Sequence, residues 1–504
     1  MYRVLSASKD CYITDKIINN KFRATDSNVG QAGTLDLFKL YAESVSGSDN
    51  TPTELSRILI KFDLETVKTM HDTGVIDVGD SSFKSYLHLS DVYGGQTTPS
   101  NFNIIVFPLA QSFDEGNGFD IIEFKDLGAT NWVTASITNS IANLWNATGA
   151  MKSGSLGESN IDVIVSGTFD GQASPISICS EQYFESGFED LKIDITTAVS
   201  ASAKSLLTNH GFLVAFSGSY EKDSNSYFVK RFASRNTVNT TLRPKLSIQY
   251  DDTVLDNHGN FVFDFSGSLY LNNFYRGVAS NIKLNDYTEL AATDAMILKI
   301  RSGSFSKDLN VSQAIRGENR ITGVYSSSFA ISSYNVLNTN ALKTNSSLTY
   351  DAIWSSADES VTYLSSSLIV KKNKRTSYDY EEKRLLATTL NLNDRYNNTD
   401  QVKIRLFIEN VNRSVVFTKG PVEKLSEIFE NVYYSVKDFN SGRVIVPFDT
   451  VYNSTRLSTD SSGMYYDFYM SSLPRGRTYI FEYLVQENGI DTYIKDAASK
   501  FIVE

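Results

Sequence analysis

Val402-Lys-Ile-Arg-Leu-Phe-Ile-Glu409 is the stretch that decides the fold class. Val, Ile, Leu and Ile occupy its even positions, and Lys, Arg, Phe and Glu occupy its odd positions. A period of two is typical of a strand with unlike faces, because successive strand side chains point to opposite sides of a sheet. The same signal recurs at 464–470 and 478–485, and turn-forming clusters of Ser, Thr, Asn and Gly, as at 338–347, separate such runs. We therefore predict an all-β protein.

A hairpin and three helices are predicted from local signals. Asn440-Ser-Gly442 separates two apolar runs and indicates a tight turn with Gly at positive φ. Helical periodicity favours a helix over 196–209, with Gly211 as its stop signal. Shorter helices are predicted at 137–145 and at 421–432, where Pro and then acidic residues open the segment.

The length of the chain predicts several domains. A single core stops growing at about 250–300 residues, and this chain has 504. Polar residues at 251–259 interrupt the strand pattern, and a charged segment occupies 371–384. We predict an N-terminal sandwich at 1–252, followed by two smaller units at 253–372 and 373–504. Each of the later units has the size of an immunoglobulin-like β-sandwich.

Composition and charge exclude several classes of protein. The formal net charge of −11 and the pI of about 5.1 disfavour nucleic-acid binding through a broad basic surface. The longest apolar runs, such as 103–110, are too short for membrane insertion, which needs about 20 residues. No signal-peptide pattern opens the chain. With only Cys11 and Cys179, the fold cannot depend on a disulfide framework, and two buried free thiols are favoured over a bridge between them.

The sequence contains no local signature of catalysis. The four His residues include no pair at the i, i+4 spacing of a zinc-binding helix, and phosphate loops, dinucleotide fingerprints and nucleophile elbows are missing from the sequence. We therefore predict a protein that is not an enzyme and that uses neither a metal nor a cofactor. Paired carboxylates leave no motif, however, so glycoside hydrolysis needs separate consideration.

Three residues are candidates for ligand binding. Asp114 and Glu115 lie in the Gly-rich loop 113–118, where they could bind a cation or a sugar. A turn whose acids accept backbone N–H bonds is the favoured interpretation. Arg57 lies inside an apolar strand motif and could hold a carbohydrate carboxylate by a bidentate contact. An internal ion pair is favoured for Arg57, and the same two interpretations apply to Arg235.

Residues 1–250 carry a longer series of motifs. They are Ala7-Ser-Lys-Asp-Cys-Tyr-Ile13, Ser56-Arg-Ile-Leu-Ile-Lys-Phe-Asp-Leu64, Phe113-Asp-Glu-Gly116, Leu191-Lys-Ile-Asp-Ile-Thr196, Gly211-Phe-Leu-Val-Ala-Phe216, Phe232-Ala-Ser-Arg235 and Arg243-Pro-Lys-Leu-Ser-Ile-Gln-Tyr250. In this order they resemble the DNRLRE-type domain, a jelly-roll β-sandwich of extracellular carbohydrate-binding and surface proteins. Phe113 stands where the family usually has Trp, which puts a stacking role of that position in doubt. The resemblance implies a jelly-roll scaffold for the first domain.

The remainder of the chain carries a second resemblance. The segments 265–276, 321–331 and 451–473 look like structural proteins of large tailed bacteriophages. This resemblance implies a virion component of the tail, baseplate or neck, made in the host cytoplasm and released by lysis. Its partners would be other virion proteins and copies of itself. A surface glycan is a further candidate ligand, and neither nucleic-acid binding nor membrane insertion is expected.

Two other functions stay open. The first is a carbohydrate-binding adhesin whose N-terminal domain contacts host-surface glycans, which predicts a concave aromatic and acidic face near Asp114. The second is a polysaccharide-degrading enzyme, which requires two carboxylates about 5–10 Å apart in a cleft.

Overall fold

The structure, a computed structural model, covers the 504-residue chain. It describes every residue except 44–51, 93–98, 123–124, 170–172, 285–286, 291–292, 294–295, 318, 374–382, 413–423, 425 and 488. Among the described residues, strands account for 49% and helices for 7%, and the strands form sandwich sheets. The predicted all-β, β-sandwich fold class is therefore confirmed.

The chain divides into two compact units. The N-terminal unit contains residues 3–71 and 83–249, and the C-terminal unit contains residues 1–2, 72–82 and 250–504. The segment 72–82, which the sequence placed within the first domain, thus packs in the C-terminal unit. The predicted boundary near 372 stays a prediction, and most of the charged segment around it, 374–382, lies outside the described residues.

The described part of the N-terminal unit is built on strands and three helices. The strands are β1 (Tyr2–Thr14), β2 (Ile17–Ile18), β3 (Phe22–Arg23), β4 (Thr34–Tyr41), β5 (Thr53–Phe62), β6 (Lys84–Leu89), β7 (Phe102–Pro108), β8 (Thr134–Thr138), β9 (Ile141–Leu144), β10 (Ser153–Ser155), β11 (Val163–Gly167), β12 (Ile176–Ser177), β13 (Ser180–Phe184), β14 (Leu191–Asp194), β15 (Phe212–Phe216), β16 (Tyr227–Ala233) and β17 (Lys245–Gln249). The helices are α1 (Glu65–Asp72), α2 (Thr196–Ala203) and α3 (Gly218–Lys222).

A ten-stranded sheet organises this unit. Its strand order is β13-β7-β15-β5-β1-β17-β6-β14, and β4 pairs with both β5 and β16. The central strand β5 contains Ile58-Leu-Ile60, in which every residue is fully buried. A continuous apolar run is what a strand covered on both faces requires. Cys11 on the neighbouring β1 is a buried free thiol, and Cys179 is a half-buried one.

The two helices predicted in this unit have different outcomes. The helix at 196–209 is confirmed in its first part as α2, which ends at Ala203. The helix at 137–145 is wrong, because β8 and β9 form an antiparallel hairpin there. Asn139 and Ser140 make its two-residue turn with φ angles of 51° and 65°. Two positive φ angles match the right-handed twist of the paired strands, and this pairing overrides the local helical pattern.

The described part of the C-terminal unit contains the remaining elements. Its strands are β18 (Phe261–Val262), β19 (Ser266–Asn272), β20 (Phe274–Tyr275), β21 (Val278–Ala279), β22 (Met296–Ser302), β23 (Phe305–Arg316), β24 (Asn319–Ala330), β25 (Ser347–Ser356), β26 (Thr362–Lys371), β27 (Leu385–Thr389), β28 (Arg395–Tyr396), β29 (Gln401–Asn410), β30 (Asn431–Asp438), β31 (Val444–Val446), β32 (Ser458–Asp460), β33 (Gly463–Tyr469), β34 (Arg477–Glu487) and β35 (Ile490–Val503). The helix α4 spans Val336–Ala341, and 3-10 turns lie at Asn257–Gly259 and Met470–Ser472.

Three sheets carry most of these strands. One has the order β18-β26-β25-β22-β23-β24-β19, and it encloses a core that includes Trp354 and Tyr350. The other two, β27-β29-β33-β32 and β28-β35-β34-β30-β31, face each other as a sandwich. Tyr434 of one sheet stacks on Tyr466 of the other, with ring centroids 4.3 Å apart. Aromatic residues from both inner faces therefore fill this core.

Local predictions in this unit also differ in outcome. The alternating stretch 402–409 is strand β29, and its residues Ile404, Leu406 and Ile408 are buried. The hairpin at 440–442 is confirmed by the antiparallel pairing of β30 with β31. The helix at 421–432 is wrong in its described part, since 426–430 lack regular structure and β30 begins at Asn431. The backbone N–H of Glu427 donates instead to the carbonyl of Ile408 at 2.8 Å, and Asn431 and Val432 pair with β34.

Among the helices of the described residues, none is long and apolar enough to cross a bilayer.

Candidate functional site

The acidic loop predicted from the sequence is tied to two distant parts of the N-terminal unit. Glu115 accepts two hydrogen bonds from Arg235, at 2.6 Å from Nε and at 3.1 Å from Nη2. Its Oε1 also accepts from the backbone N–H of Asp10 at 2.9 Å. The carboxylate is mostly buried, with 12% of the side chain exposed. Glu115 therefore serves an internal ion pair, as the favoured interpretation of Arg235 requires.

Asp10 is the third charged residue of the cluster formed by Glu115 and Arg235. It is fully buried, and its Oδ2 accepts from the backbone N–H of Arg235 at 2.6 Å. Its Oδ1 has no hydrogen-bond partner in the described part of the chain. Burial, with a further contribution from the charge of Glu115, raises the pKa of Asp10 to about 7. The protonated form of Asp10 is therefore far more populated near neutral pH than it is for an ordinary aspartate.

Asn28 holds the loop from the other side. Its amide nitrogen donates to the carbonyls of Glu115 and Thr130, both at 2.8 Å. Its amide oxygen accepts from the backbone N–H groups of Gly118 and Gly30. Asn28 is fully buried, and no local sequence signal identified it.

Asp114 is the more accessible member of the predicted acid pair. About 40% of its side chain is exposed. Its Oδ2 accepts from the backbone N–H of Ile137 at 2.9 Å, and Lys9 Nζ lies 3.9 Å from its Oδ1. Phe113, at the position of the family's Trp, is 1% exposed and packs in the core. The loop thus presents one carboxylate to solvent but no aromatic ring from position 113.

Arg57 belongs to a separate network. Its Nε and Nη2 donate to the carboxylate of Glu221 at 3.0 and 2.7 Å, and its Nη1 donates to the carbonyl of Gly149 at 2.5 Å. The guanidinium lies 5.1 Å from the ring centroid of Trp132. Both charged side chains are less than one tenth exposed. Among the described residues, no hydrogen bond or ion pair joins this network to Asp114 or Glu115. No sequence pattern identified Glu221.

The C-terminal unit contains a cleft that the sequence did not predict. We call it the tyrosine cleft, and its volume is about 510 Å³. Three half-buried tyrosines line it, Tyr270 from β19 and Tyr465 and Tyr469 from β33. Its polar lining includes the side chains of Asp251, Asp252, Asn272, Arg316, Gln401 and Asp467.

Strand β33 explains the composition of one wall. Tyr465, Asp467 and Tyr469 are spaced by two residues and share one face, while Tyr466 and Phe468 point into the sandwich core. The sequence run Met464-Tyr-Tyr-Asp-Phe-Tyr-Met470 predicted this strand. It did not identify the outward face, because both faces carry aromatic residues.

The neighbouring strand β29 flanks this row, and its residue Gln401 lines the cleft. Gln401 pairs with Tyr469, Lys403 with Asp467, and Arg405 with Tyr465. Lys403 Nζ lies 4.0 Å from the ring centroid of Tyr465. This cation–π contact holds the ring in place from one side.

Carboxylates set the electrostatics of the cleft. Asp252 accepts from the N-terminal ammonium group at 2.9 Å, whereas Asp467 forms no hydrogen bond with any described residue. Burial raises the pKa of Asp467, the charge of Lys403 lowers it, and the charge of Asp252 raises it further. Within the described residues, no group of three or more His, Cys, Asp or Glu side chains is arranged to hold a metal ion.

Comparisons with known proteins give only remote likenesses. No family model matches the chain, and no curated protein matches it. Among solved structures, the N-terminal Ig1-2 module of the Drosophila receptor protein tyrosine phosphatase DLAR is 7% identical and covers 47% of this chain and 90% of its own, with a TM-score of 0.14. Tandem Ig repeats of Dlar are 8% identical, with 48% and 92% covered and a TM-score of 0.13. A Salmonella alpha-2-macroglobulin mutant, Y1175G, is 9% identical, with 98% and 34% covered and a TM-score of 0.12. Likenesses at such TM-scores carry no information about function.

Proposed function

We propose that this chain is a non-enzymatic structural protein of a tailed bacteriophage virion, in the tail, baseplate or neck. It would assemble with copies of itself and with other virion proteins through its β-sandwiches. The resemblance of residues 251–504 to phage structural proteins motivates the proposal. Among the features of the fold, an exposed apolar hairpin supports it most directly.

That hairpin consists of β20 and β21 in the C-terminal unit. Phe274, Tyr275 and Val278 are 63%, 64% and 70% exposed. Arg276 and Gly277 make its two-residue turn with φ angles of 51° and 80°. Tyr275 and Val278 are cross-strand partners on one face of the hairpin, and Phe274 lies on the other face. Large apolar side chains exposed close together are typical of protein–protein contacts. Burying each of them at an interface would contribute about 1–2 kcal/mol.

An open sheet edge supplies a second means of assembly. Strand β26 pairs along its length with β25, and its other side is paired with β18 only at Val370 and Lys371 among the described strands. The portion Thr362–Ile369 therefore offers main-chain groups for pairing with a neighbouring subunit.

The acidic loop fits a structural role better than a catalytic one. Glu115 and Asp10 are held by Arg235 inside the N-terminal unit, which leaves Asp114 as the accessible carboxylate of the predicted pair. A glycan-binding function of the N-terminal domain would depend on that side chain, and it stays a prediction.

Mass spectrometry and cryo-electron microscopy of purified, lysis-released particles test the proposal. We expect the protein at a fixed stoichiometry, with density for its sandwiches at one position of the tail, baseplate or neck. Its absence from particles would overturn the proposal.

A variant separates the role of the hairpin from that of the fold. The triple change Phe274→Ser, Tyr275→Ser and Val278→Ser should reduce incorporation at least tenfold while the thermal unfolding midpoint stays close to that of the wild type. Val238→Ser, at a residue 96% exposed in the N-terminal unit, is the matched control and should incorporate normally. Normal incorporation of the triple variant would remove the hairpin from the assembly mechanism.

A further inference from the structure

We propose that the tyrosine cleft of the C-terminal unit binds a neutral oligosaccharide. This goes beyond the structural role proposed above, and it places glycan recognition away from the acidic loop of the N-terminal unit. The volume of about 510 Å³ lies within the range of small-ligand sites, which is about 300–1,000 Å³.

Half-buried tyrosines provide the apolar surface for a sugar. Tyr465 and Tyr469 stand four residues apart on one face of β33, a spacing of about 13 Å along a strand. Tyr270 lines the cleft from β19. The C–H face of a pyranose is apolar and packs against an aromatic ring, so two rings about 13 Å apart can contact different, non-adjacent units of one oligosaccharide. The fully buried Tyr466 and Tyr434, which also border the cleft, belong to the sandwich core instead.

Polar side chains between these rings match the hydroxyl groups of a sugar. Asp467 lies between Tyr465 and Tyr469, and its carboxylate is an acceptor that no described residue uses for a hydrogen bond. Gln401, the cross-strand partner of Tyr469, can both donate and accept through its amide. A hydroxyl group also donates and accepts, so it can bridge these two side chains. An apolar ligand would leave the Asp467 carboxylate desolvated and unpaired, which is costly.

Charge selects among the possible sugars. The described residues of the lining include seven aspartates, among them Asp251, Asp252 and Asp467, against two arginines, Arg316 and Arg456. The lining is therefore negative overall, and the charge of Asp252 contributes to the raised pKa of Asp467. A phosphate, a uronic acid or a sialic acid would add a further negative charge at this place. Repulsion of like charges therefore disfavours acidic glycans and favours neutral ones.

A glycan array probed with the full chain provides the first test. The array carries neutral hexose oligomers, N-acetylhexosamine oligomers and acidic glycans. We expect retention on neutral glycans and none on acidic ones. Absence of any neutral binder, or a preference for acidic glycans, would overturn the proposal.

Calorimetry with the neutral glycan that the array retains most strongly then locates the site. Asp467→Asn keeps the side-chain shape and should weaken binding at least tenfold, and Tyr465→Ala should abolish it. The matched controls are Asp351→Asn on β25 and Tyr493→Ala, a 66% exposed tyrosine on β35, which should bind as the wild type does.

One further variant separates this site from the N-terminal loop. Glu115→Gln should bind glycan normally if the cleft is the site. Full binding in both Asp467→Asn and Tyr465→Ala would overturn the proposal, and so would loss of binding in a folded Glu115→Gln variant. Thermal unfolding of each variant establishes that it is folded. Incorporation of Asp467→Asn into particles should be unchanged. The test of glycan binding and the test of the structural role can therefore fail independently.

Discussion

Arg235 and Glu115 form a two-point ion pair in the N-terminal unit, with Nε–Oε1 at 2.6 Å and Nη2–Oε2 at 3.1 Å, although 120 residues separate them in the chain. The planar fork of a guanidinium matches both oxygens of a carboxylate, which fixes distance and orientation together. The pair therefore fastens the loop 113–118 to the segment that follows β16. Glu115 thus connects two parts of the N-terminal unit that are distant in the chain.

Glu115→Gln should lower the free energy of unfolding by about 1–3 kcal/mol. The amide keeps the size of the side chain but cannot accept from Arg235 at both atoms, and the guanidinium loses its counter-charge. Urea unfolding at neutral pH measures the difference. The control is Asp26→Asn, because the Asp26–Lys125 pair is nearly half exposed on both sides and should contribute less than about 1 kcal/mol. Equal effects of the two substitutions would contradict the structural role of Glu115.

Asp10→Asn should stabilise the protein at high pH. Burial raises the pKa of Asp10 to about 7 in the folded state, whereas an aspartate in the unfolded chain titrates near 3.9. The folded state therefore binds the proton more tightly, so the contribution of Asp10 is fully present below about pH 4 and is lost as the pH rises through 7.

Urea unfolding of the wild type and of Asp10→Asn between pH 4 and pH 8.5 measures this linkage. The Asn side-chain oxygen can still accept from the backbone N–H of Arg235. The advantage of the variant should grow from pH 4 to pH 7 and then level off, with an upper bound on the order of 4 kcal/mol. Parallel stability curves over this range would show that the carboxyl group of Asp10 is not perturbed.

Gly149→Ala should destabilise the protein more than Gly157→Ala does. Both glycines have positive φ, at 79° and 91°, so both substitutions carry a backbone cost of about 1 kcal/mol. A Cβ atom at Gly149 would also overlap Trp132 Cζ2, at 2.6 Å, and the guanidinium of Arg57, whereas a Cβ atom at Gly157 would meet no described atom within 4 Å.

The expected additional loss at Gly149 is about 1–3 kcal/mol, because overlap forces side chains out of their rotamers. Thermal unfolding of the two variants side by side gives the comparison. A smaller loss at Gly149 than at Gly157 would mean that the Arg57 network can shift without cost.

Ser140→Gly should raise the stability of the protein by about 0.5–1 kcal/mol. Ser140 is exposed and adopts φ of 65° in the turn between β8 and β9, a conformation that glycine reaches without a Cβ clash. The change also creates an Asn-Gly turn, the favoured pair for this hairpin. Asn139→Gly is the comparison and should gain less, since Asn tolerates this conformation better than Ser. Urea unfolding measures the change. A loss of stability in Ser140→Gly would contradict the prediction and would mean that the Ser140 side chain stabilises the folded state.

Local patterns in the sequence predicted much of the secondary structure but not all of it. The alternation at 402–409 became β29, and Asn440-Ser-Gly442 became a hairpin turn, because each signal acts over a few residues. The helix predicted at 137–145 became the hairpin of β8 and β9. Its apolar residues fit either period, and the positive φ angles of Asn139 and Ser140 are not visible in a hydrophobic pattern.

The candidate site could be predicted only in part. Glu115 and Arg57 were selected as charged residues within family-like motifs, and an internal ion pair was the favoured interpretation of the arginine. Their partners, Arg235 and Glu221, lie 120 and 164 residues away. The order of the strands in the sheet determines which residues pair over such separations. A pattern within a short segment does not predict that order.

The sequence by itself determined that the chain is all-β, because alternation and turn chemistry are properties of neighbouring residues. Only the tertiary structure decided where carboxylates and aromatic rings meet. Asp467 lies within the cleft through its position on the outward face of β33, and Asp252 joins it from a segment more than 200 residues earlier. Such an arrangement follows from the packing of sheets against one another, which brings residues together that are distant in the chain. The free energy of that packing depends on contacts between segments, so no single segment determines it.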